Sequence, residues 1–175
     1  MRIFIALLFS EIVKNKIFGL VNELEKKFEG NFTARDNLHL TLYYIGEIDK
    51  VLLEKVKKEI KEINFNKFSC ETLGIGSFKN SFKHRLLHLT VKEDISLKSI
   101  HVKVLNALKK SGIEINNLDF TPHITLGRKV FINDLEMKSI KFSDISILAS
   151  RISVMESKRI DGNLVYEEID YQLLK

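Results

Sequence analysis

Cysteine occurs once in this 175-residue chain, at Cys70, so no internal disulfide can form and stability must come from a packed core. Cytoplasmic residence is the expectation that follows. Proline also occurs once, at Pro122, and only eight glycines are present, which leaves no composition for a disordered linker. No run of about 20 uninterrupted apolar residues exists, so no membrane-spanning helix is expected. The apolar run Ile3 to Phe9 is short, follows a lone Arg2 and lacks a small-residue cleavage site, and it reads as a first strand, not an export signal. Cys-x-x-Cys, His-x-His and His-Glu-x-x-His are all missing, which removes the usual zinc spacings and predicts a site without a metal or other cofactor. With 45% hydrophobic residues, positions 1–175 read as a single domain able to bury its own core.

Charge is present in modest excess: 28 basic against 23 acidic residues, a net +5. That balance suits a polyanion without requiring one. Lys55, Lys57, Lys58 and Lys61 fall on what reads as the solvated face of a helix. Lys79, Lys83 and Arg85 are better candidates for nucleic-acid contact. They cluster with Phe78 and Phe82 in a segment whose Gly74, Gly76, Asn80 and Ser81 suggest a loop, mixing cations with rings able to stack on bases.

Apolar periodicity predicts three helices: one capped by Ser10 and ending before Gly30, one from Asp49 to Ile63, and one from Ser96 to Ser111 with Gly112 as its stop. Strand character marks Ile3 to Leu8, Leu38 to Ile45, Phe68 to Ile75, Arg85 to Lys92, His123 to Val130, Ile145 to Glu156 and Leu164 to Leu173. The elements mix without a regular βαβ repeat, so the expected class is α+β. His84 is expected at the surface, and His101 at the edge of its helix.

Two short stretches stand out against this background: His39-Leu40-Thr41-Leu42 and His123-Ile124-Thr125-Leu126. On a strand, each histidine shares a face with its threonine while the aliphatic residues point to the other. With five histidines and six threonines in the chain, random placement yields only about 0.2 His-x-Thr matches. In-line displacement at phosphorus needs a base for the attacking oxygen and an acid for the leaving one, on opposite sides. Two histidines can fill both roles, and two threonine hydroxyls can donate to the non-bridging oxygens. A third match, His88-Leu89-Thr90-Val91, lies in a more uniform apolar run and reads as strand composition. Tyr43 and Tyr44 follow the first motif, and alternation would turn one of them toward the groove.

The chain resembles the RNA 2′,3′-cyclic phosphodiesterase branch of the two-histidine phosphoesterase superfamily, proteins also named 2′-5′ RNA ligases. The resemblance runs from Met1-Arg2-Ile3-Phe4-Ile5-Ala6-Leu7 through Asn37-Leu38-His39-Leu40-Thr41-Leu42 and Ile45-Gly46. It continues with Phe120-Thr121-Pro122-His123-Ile124-Thr125-Leu126-Gly127-Arg128 and closes with Glu156-Ser157 and Gly162. It implies a bilobal fold of two antiparallel sheets around a central cleft, with helices packed outside and two pseudo-symmetric lobes, in keeping with motifs 84 positions apart. It implies that His39 is the general acid, that His123 is the general base, and that Thr41, Thr125 and Arg128 hold the phosphate. The implied reaction is hydrolysis of an RNA terminal 2′,3′-cyclic phosphate to a 2′-phosphate, with reversible 2′-5′ ligation open to the same pair. The sequence departs from the family at His88, where an aromatic residue is usual.

Three other readings keep parts of this pattern. Histidines on neighbouring strands could hold a metal, but that leaves the threonines unexplained. A non-catalytic RNA-binding module could keep the fold, though neither motif has lost a residue. The same pair could act on 2′-5′ oligonucleotides or on a small nucleotide-derived cyclic phosphate. The expected partner is RNA ending in a 2′,3′-cyclic phosphate, tRNA fragments included, with no membrane association and a monomeric chain.

Overall fold

The computed structural model describes residues 1–79 and 84–175, Lys79 through its backbone alone. Among these residues, nine strands alternate irregularly with four helices: β1 (Arg2–Leu8), α1 (Glu11–Glu25), β2 (Asn31–Phe32), β3 (His39–Glu47), α2 (Lys50–Lys61), β4 (Phe68–Lys79) and β5 (Arg85–Val91). They continue with α3 (Ile95–Ser111), β6 (His123–Val130), α4 (Asp134–Ser139), β7 (Ser146–Ala149), β8 (Arg151–Ile160) and β9 (Asn163–Leu173), with a 3-10 turn at Arg35–Asn37 before β3. The helix starts are those the side chains dictate. The Ser10 hydroxyl accepts from the Val13 amide, and the Asp49 and Asp94 carboxylates accept from Leu52 and Leu97 at 2.8 Å. Gly112 ends α3 at φ +97°, a left-handed position that suits glycine. Helix α1 stops at Glu25, short of Gly30, with Lys26 as its C-cap.

All strand pairings are antiparallel, in the order β7-β4-β5-β6-β3-β1-β8-β9, with β2 paired to β6 off this path. Two distinct sheets were expected; the strands instead form one. The join is a single pair, Leu40 opposite Ile124, linking β3 to β6. Both residues are fully buried, so apolar packing as well as the ladder holds the two halves of the sheet together. The run from Ile145 to Glu156 also divides at Ser150: β7 pairs with β4 and β8 with β1, far apart in the sheet.

One face of the sheet meets the helices. Ile3, Ile5 and Leu7 of β1, Leu40, Leu89 and Ile124 pack with Ile17, Leu20, Val21, Val56, Ile60, Ile100 and Val104 in a single core. Each such side chain, fully buried, is worth about 1.5–3 kcal/mol against exposure. The alternate residues of β1 make a second, smaller cluster of Phe4, Ala6 and Met155, packed against Leu8 and Tyr166. Period-2 alternation therefore sends the aliphatic members of each motif to the core and the histidines and threonines to the other face. Among the described residues, no helix is long and apolar enough to cross a membrane.

Candidate active site

The register places the motif side chains in a grid. With Leu40 across from Ile124, antiparallel pairing puts His39 across from Thr125 and Thr41 across from His123. On the other side of β6, His88 pairs with Thr125, Leu89 with Ile124, and Thr90 with His123. Three His-x-Thr segments thus lie in register on adjacent strands. One row reads His39, Thr125, His88; the next reads Thr41, His123, Thr90. Reading the third match as strand composition missed this adjacency, because nothing local in His88-Leu89-Thr90 announces which strand it pairs with.

The histidines of the two motifs, His39 and His123, are held alike through one nitrogen. His39 Nδ1–H donates to the Asn37 carbonyl at 2.7 Å, and His123 Nδ1–H donates to the Thr121 carbonyl at 2.7 Å. A carbonyl only accepts, so each neutral ring carries its proton on Nδ1 and keeps Nε2 as the basic nitrogen. The Nε2 of His39 meets the Thr41 hydroxyl at 3.0 Å. Asn37 is itself fixed to β9, its amide donating to the Leu164 carbonyl and its side-chain oxygen accepting from the Tyr166 amide.

Their walls differ. His39 lies against Phe4, with ring centroids 4.9 Å apart, and edge-on to Tyr166 at 5.1 Å. His123 meets Phe78 at 5.1 Å and His88 at 5.2 Å, while Phe78 and His88 stack on each other at 4.4 Å. His88 is only 5% exposed, and its Nδ1 is buried without a hydrogen-bond partner among the described residues. Gly76, across from His88 on β4, makes the room: a Cβ there would come within 2.6 Å of the His88 ring and 2.7 Å of the Thr90 hydroxyl.

Burial holds His39 down to about 4, and the charges of Arg128 and His123 push the same way against the Asn37 carbonyl. Burial also lowers His123, opposed by the Thr121 carbonyl and assisted by Arg128. His88 is held at about 4 by burial first and by His123 next. Arg128 is therefore close enough for both paired histidines to feel its charge, and burial favours the neutral form of all three rings.

A groove of about 630 Å³ opens on this face, with His39, Thr125 and Arg128 among its walls, Asn31 and Phe32 of β2 on one side, and Arg159, Asn163 and Tyr166 of the β8–β9 hairpin on another. Thr41 and His123 sit one row away from its lining. Neither Tyr43 nor Tyr44 lines it: a bulge between Thr41 and Tyr43 breaks the alternation, Tyr43 packs against the core and Tyr44 is exposed. The tyrosine at the site is Tyr166, from the far end of the chain. Tyr166, Phe4 and Arg159 were not singled out by the sequence reading, since their relevance depends on which strands become neighbours, while Asn37 was read only as part of the stretch leading into the first motif.

The expected basic loop is only partly accounted for. Gly74 and Gly76 belong to β4 and not to a loop. Arg85 is committed elsewhere, bridging Asp134 at 2.8 Å and donating to the Ser77 hydroxyl at 3.1 Å. The Lys79 side chain, Asn80, Ser81, Phe82 and Lys83 lie outside the described residues. His101 is not at a helix edge: it is buried and stacks flat on Phe120 at 4.1 Å. His84, half-buried, sits edge-on to Phe131. Among the described residues, no group of three or more histidine, cysteine or acidic side chains is arranged to hold a metal ion.

An antiparallel α+β fold with paired His-x-Thr strands at the centre of its sheet defines a two-histidine phosphoesterase architecture. The sequence places the chain within it: a model of the 2′-5′ RNA ligase superfamily matches residues 13–159, and the chain belongs to that superfamily. It is 28% identical over 173 residues to the RNA 2′,3′-cyclic phosphodiesterase of Thermotoga maritima, covering 95% of this chain and 92% of that one. To the protein of the same name from Archaeoglobus fulgidus it is 30% identical over 128 residues, 73% and 72% of the two chains. Among solved structures, E. coli LigT in its apo form superposes with a TM-score of 0.77 at 20% identity, over 99% of this chain and 96% of that one. The fold is thus the LigT fold.

Proposed function

We propose that the protein hydrolyses RNA terminal 2′,3′-cyclic phosphate to a 2′-phosphate, with His123 as general base and His39 as general acid. The observation that carries this reading is the placement of Arg128, felt electrostatically by both histidines and lining the groove with His39 and Thr125. A phosphate between the two rings would meet that guanidinium and the hydroxyls of Thr125 and Thr41. His123 Nε2 then takes a proton from water as its oxygen bonds to phosphorus. The P–O3′ bond breaks on the opposite side, and His39 Nε2–H protonates the departing oxygen. With a 5′-hydroxyl in place of water, the same pair would join it to phosphorus as O3′ departs, giving a 2′-5′ linkage, and with acid and base exchanged it would cleave that linkage again.

The acid must be charged, and burial favours the neutral form of His39. The substrate supplies the remedy: an anion beside Arg128 offsets the guanidinium's repulsion and favours imidazolium. As the ring takes up its second proton, Nε2 can no longer accept from Thr41, which frees that hydroxyl to donate to the phosphate. The relatives named as RNA 2′,3′-cyclic phosphodiesterases support the substrate, as does the complex of E. coli LigT with 3′-AMP, a likeness of fold at 20% identity. The same chemistry suits a cytoplasmic enzyme working as a monomer without a cofactor.

The test is to incubate the purified protein, in the presence of chelator, with an oligonucleotide ending in a 2′,3′-cyclic phosphate and to assign the product by phosphorus NMR. A 2′-phosphate is expected. A 3′-phosphate would reverse the assignment of the leaving oxygen, and no product would remove the reading.

A further inference from the structure

The chain has six arginines. Four are tied to carboxylates: Arg2 to Glu47, Arg35 to Glu11 and Asp36, Arg85 to Asp134, and Arg151 to Glu168. Arg128 and Arg159 are the two without an ion pair among the described residues, and both line the same groove. An arginine left unneutralised beside a concave surface is a ready site for an anion. Two of them in one groove point to two anionic groups.

The two cations are not equivalent. Arg128, on β6, acts on both His39 and His123, so it belongs to the reacting phosphate. Arg159 is not among the groups that shift either histidine, and it comes from the other half of the sheet, at the end of β8. Its Nη1 donates to the Gly162 carbonyl at 2.9 Å across the β8–β9 turn. That turn runs through Asp161 at φ +49° and Gly162 at φ +82°. The bond orients the guanidinium and leaves Nη2 and Nε free for a bidentate contact. The groove's lining also offers Asn31 and Asn163 as neutral hydrogen-bonding groups and Phe32 and Tyr166 as rings, with Glu25 as its one acid.

We propose that Arg159 binds a second phosphate, the phosphodiester on the 5′ side of the terminal nucleotide, so that the groove selects the end of an RNA chain over a cyclic mononucleotide. This rests on the reading of the histidine pair as the cyclic-phosphate site. The nucleoside between the two phosphates then lies along the asparagines and rings, and discrimination comes from the contact that a mononucleoside cannot make.

The experiment compares adenosine 2′,3′-cyclic phosphate with the dinucleotide ApA ending in a 2′,3′-cyclic phosphate, in native protein, Arg159→Gln and Arg159→Lys. In native protein the dinucleotide is expected to have at least a tenfold advantage in kcat/KM, carried by KM. Arg159→Gln should reduce that advantage to about twofold, and Arg159→Lys should restore part of it. The slope of log KM against log salt for the dinucleotide should become shallower by about 0.7 in Arg159→Gln, the loss of one single-strand phosphate contact. Unchanged discrimination in a folded Arg159→Gln protein, or none in the native protein, overturns the proposal. Equilibrium binding of the corresponding 2′-phosphate products, adenosine 2′-phosphate against ApA 2′-phosphate, reads the same contact without turnover. If neither cyclic substrate is hydrolysed but Arg159→Gln still abolishes the dinucleotide's binding advantage, the catalytic reading falls and the second phosphate site stands.

Discussion

His39 and His123 occupy the same place in near-identical tetrapeptides, donate Nδ1–H to the carbonyl two residues earlier at the same 2.7 Å, and differ in nearly everything else around the ring. His39 is enclosed by Phe4 of β1 and Tyr166 of β9, and Thr41 occupies its Nε2. His123 is flanked by Phe78 of β4 and His88 of β5. Local sequence therefore fixes the tautomer, through the backbone turn that precedes each motif, while the sheet neighbours set how readily each ring takes a second proton. The ring assigned as acid is the one held at about 4. In this site, the proton affinity that burial sets does not separate acid from base; the substrate's charge and the side of phosphorus on which each ring stands do so.

Deleting either ring is the most severe way to break the comparison. His39→Ala and His123→Ala should each lower kcat by about 10²–10⁴-fold, and the double variant should cost little more than the worse single one, because acid and base act as a unit. Steady-state and single-turnover rates on the cyclic-phosphate oligonucleotide decide it. Multiplicative losses would show that the rings work independently. Thr125→Ala comes next, at about 2–4 kcal/mol of transition-state stabilisation, read as kcat/KM, if its hydroxyl donates to the phosphate beside Arg128.

A gentler measurement is the pH dependence. Both rings lie below 6.5 in the free protein, so kcat/KM should be bell-shaped with its maximum on the acid side of pH 6.5. The kcat profile belongs to the complex, where the bound anion favours imidazolium, and its maximum should lie at higher pH. Coincident maxima would mean that the substrate does not retune His39.

Much of this was legible in the chain itself. Three long helices, their caps at Ser10, Asp49 and Gly112, and the inward aliphatic rows follow from periodicity and end chemistry, which are local. The pairing of the two motifs was legible because each carries a rare residue combination on a strand. What escaped was relational. Nothing within Ile145 to Glu156 reveals that its halves pair with β4 and β1, since both halves alternate alike. Helix α4 is one short turn and a half, too brief for periodicity, although Asn133 and Glu136 form a capping box that a closer reading of Asn-x-x-Glu would have found. Arg159 and Tyr166 line the groove, and Phe4 meets His39, only because β1 pairs with β3 and β8 and β9 follow β1 in the sheet. The merging of two expected sheets into one turns on a single residue pair, Leu40 and Ile124, which no pattern within either strand could show.

The smallest predicted effect concerns the wall that sets His123 apart. His88 is buried, its ring stacked on Phe78 and its Nδ1 without a hydrogen-bond partner among the described residues, a setting that suits an apolar ring. Burying an unsatisfied polar nitrogen costs about 1–3 kcal/mol, so His88→Phe should be more stable than the native protein at pH 7, by about 1 kcal/mol after imperfect repacking. The pH dependence gives the sharper signature. The folded pKa of about 4 lies below the unfolded value near 6.5, so the unfolded chain binds the extra proton first. The penalty is absent above pH 6.5, grows as pH falls toward 4, and levels off below. Removing the imidazole should therefore widen the stability gap between variant and native protein as pH falls from 7 to 4.5, in denaturant melts at both pH values. A gap that stays constant would mean that His88 finds a partner for its proton in the folded protein. The wall of His123 would then be a polar contact, and the contrast with His39, walled by Phe4 and Tyr166, would rest on chemistry as well as on packing.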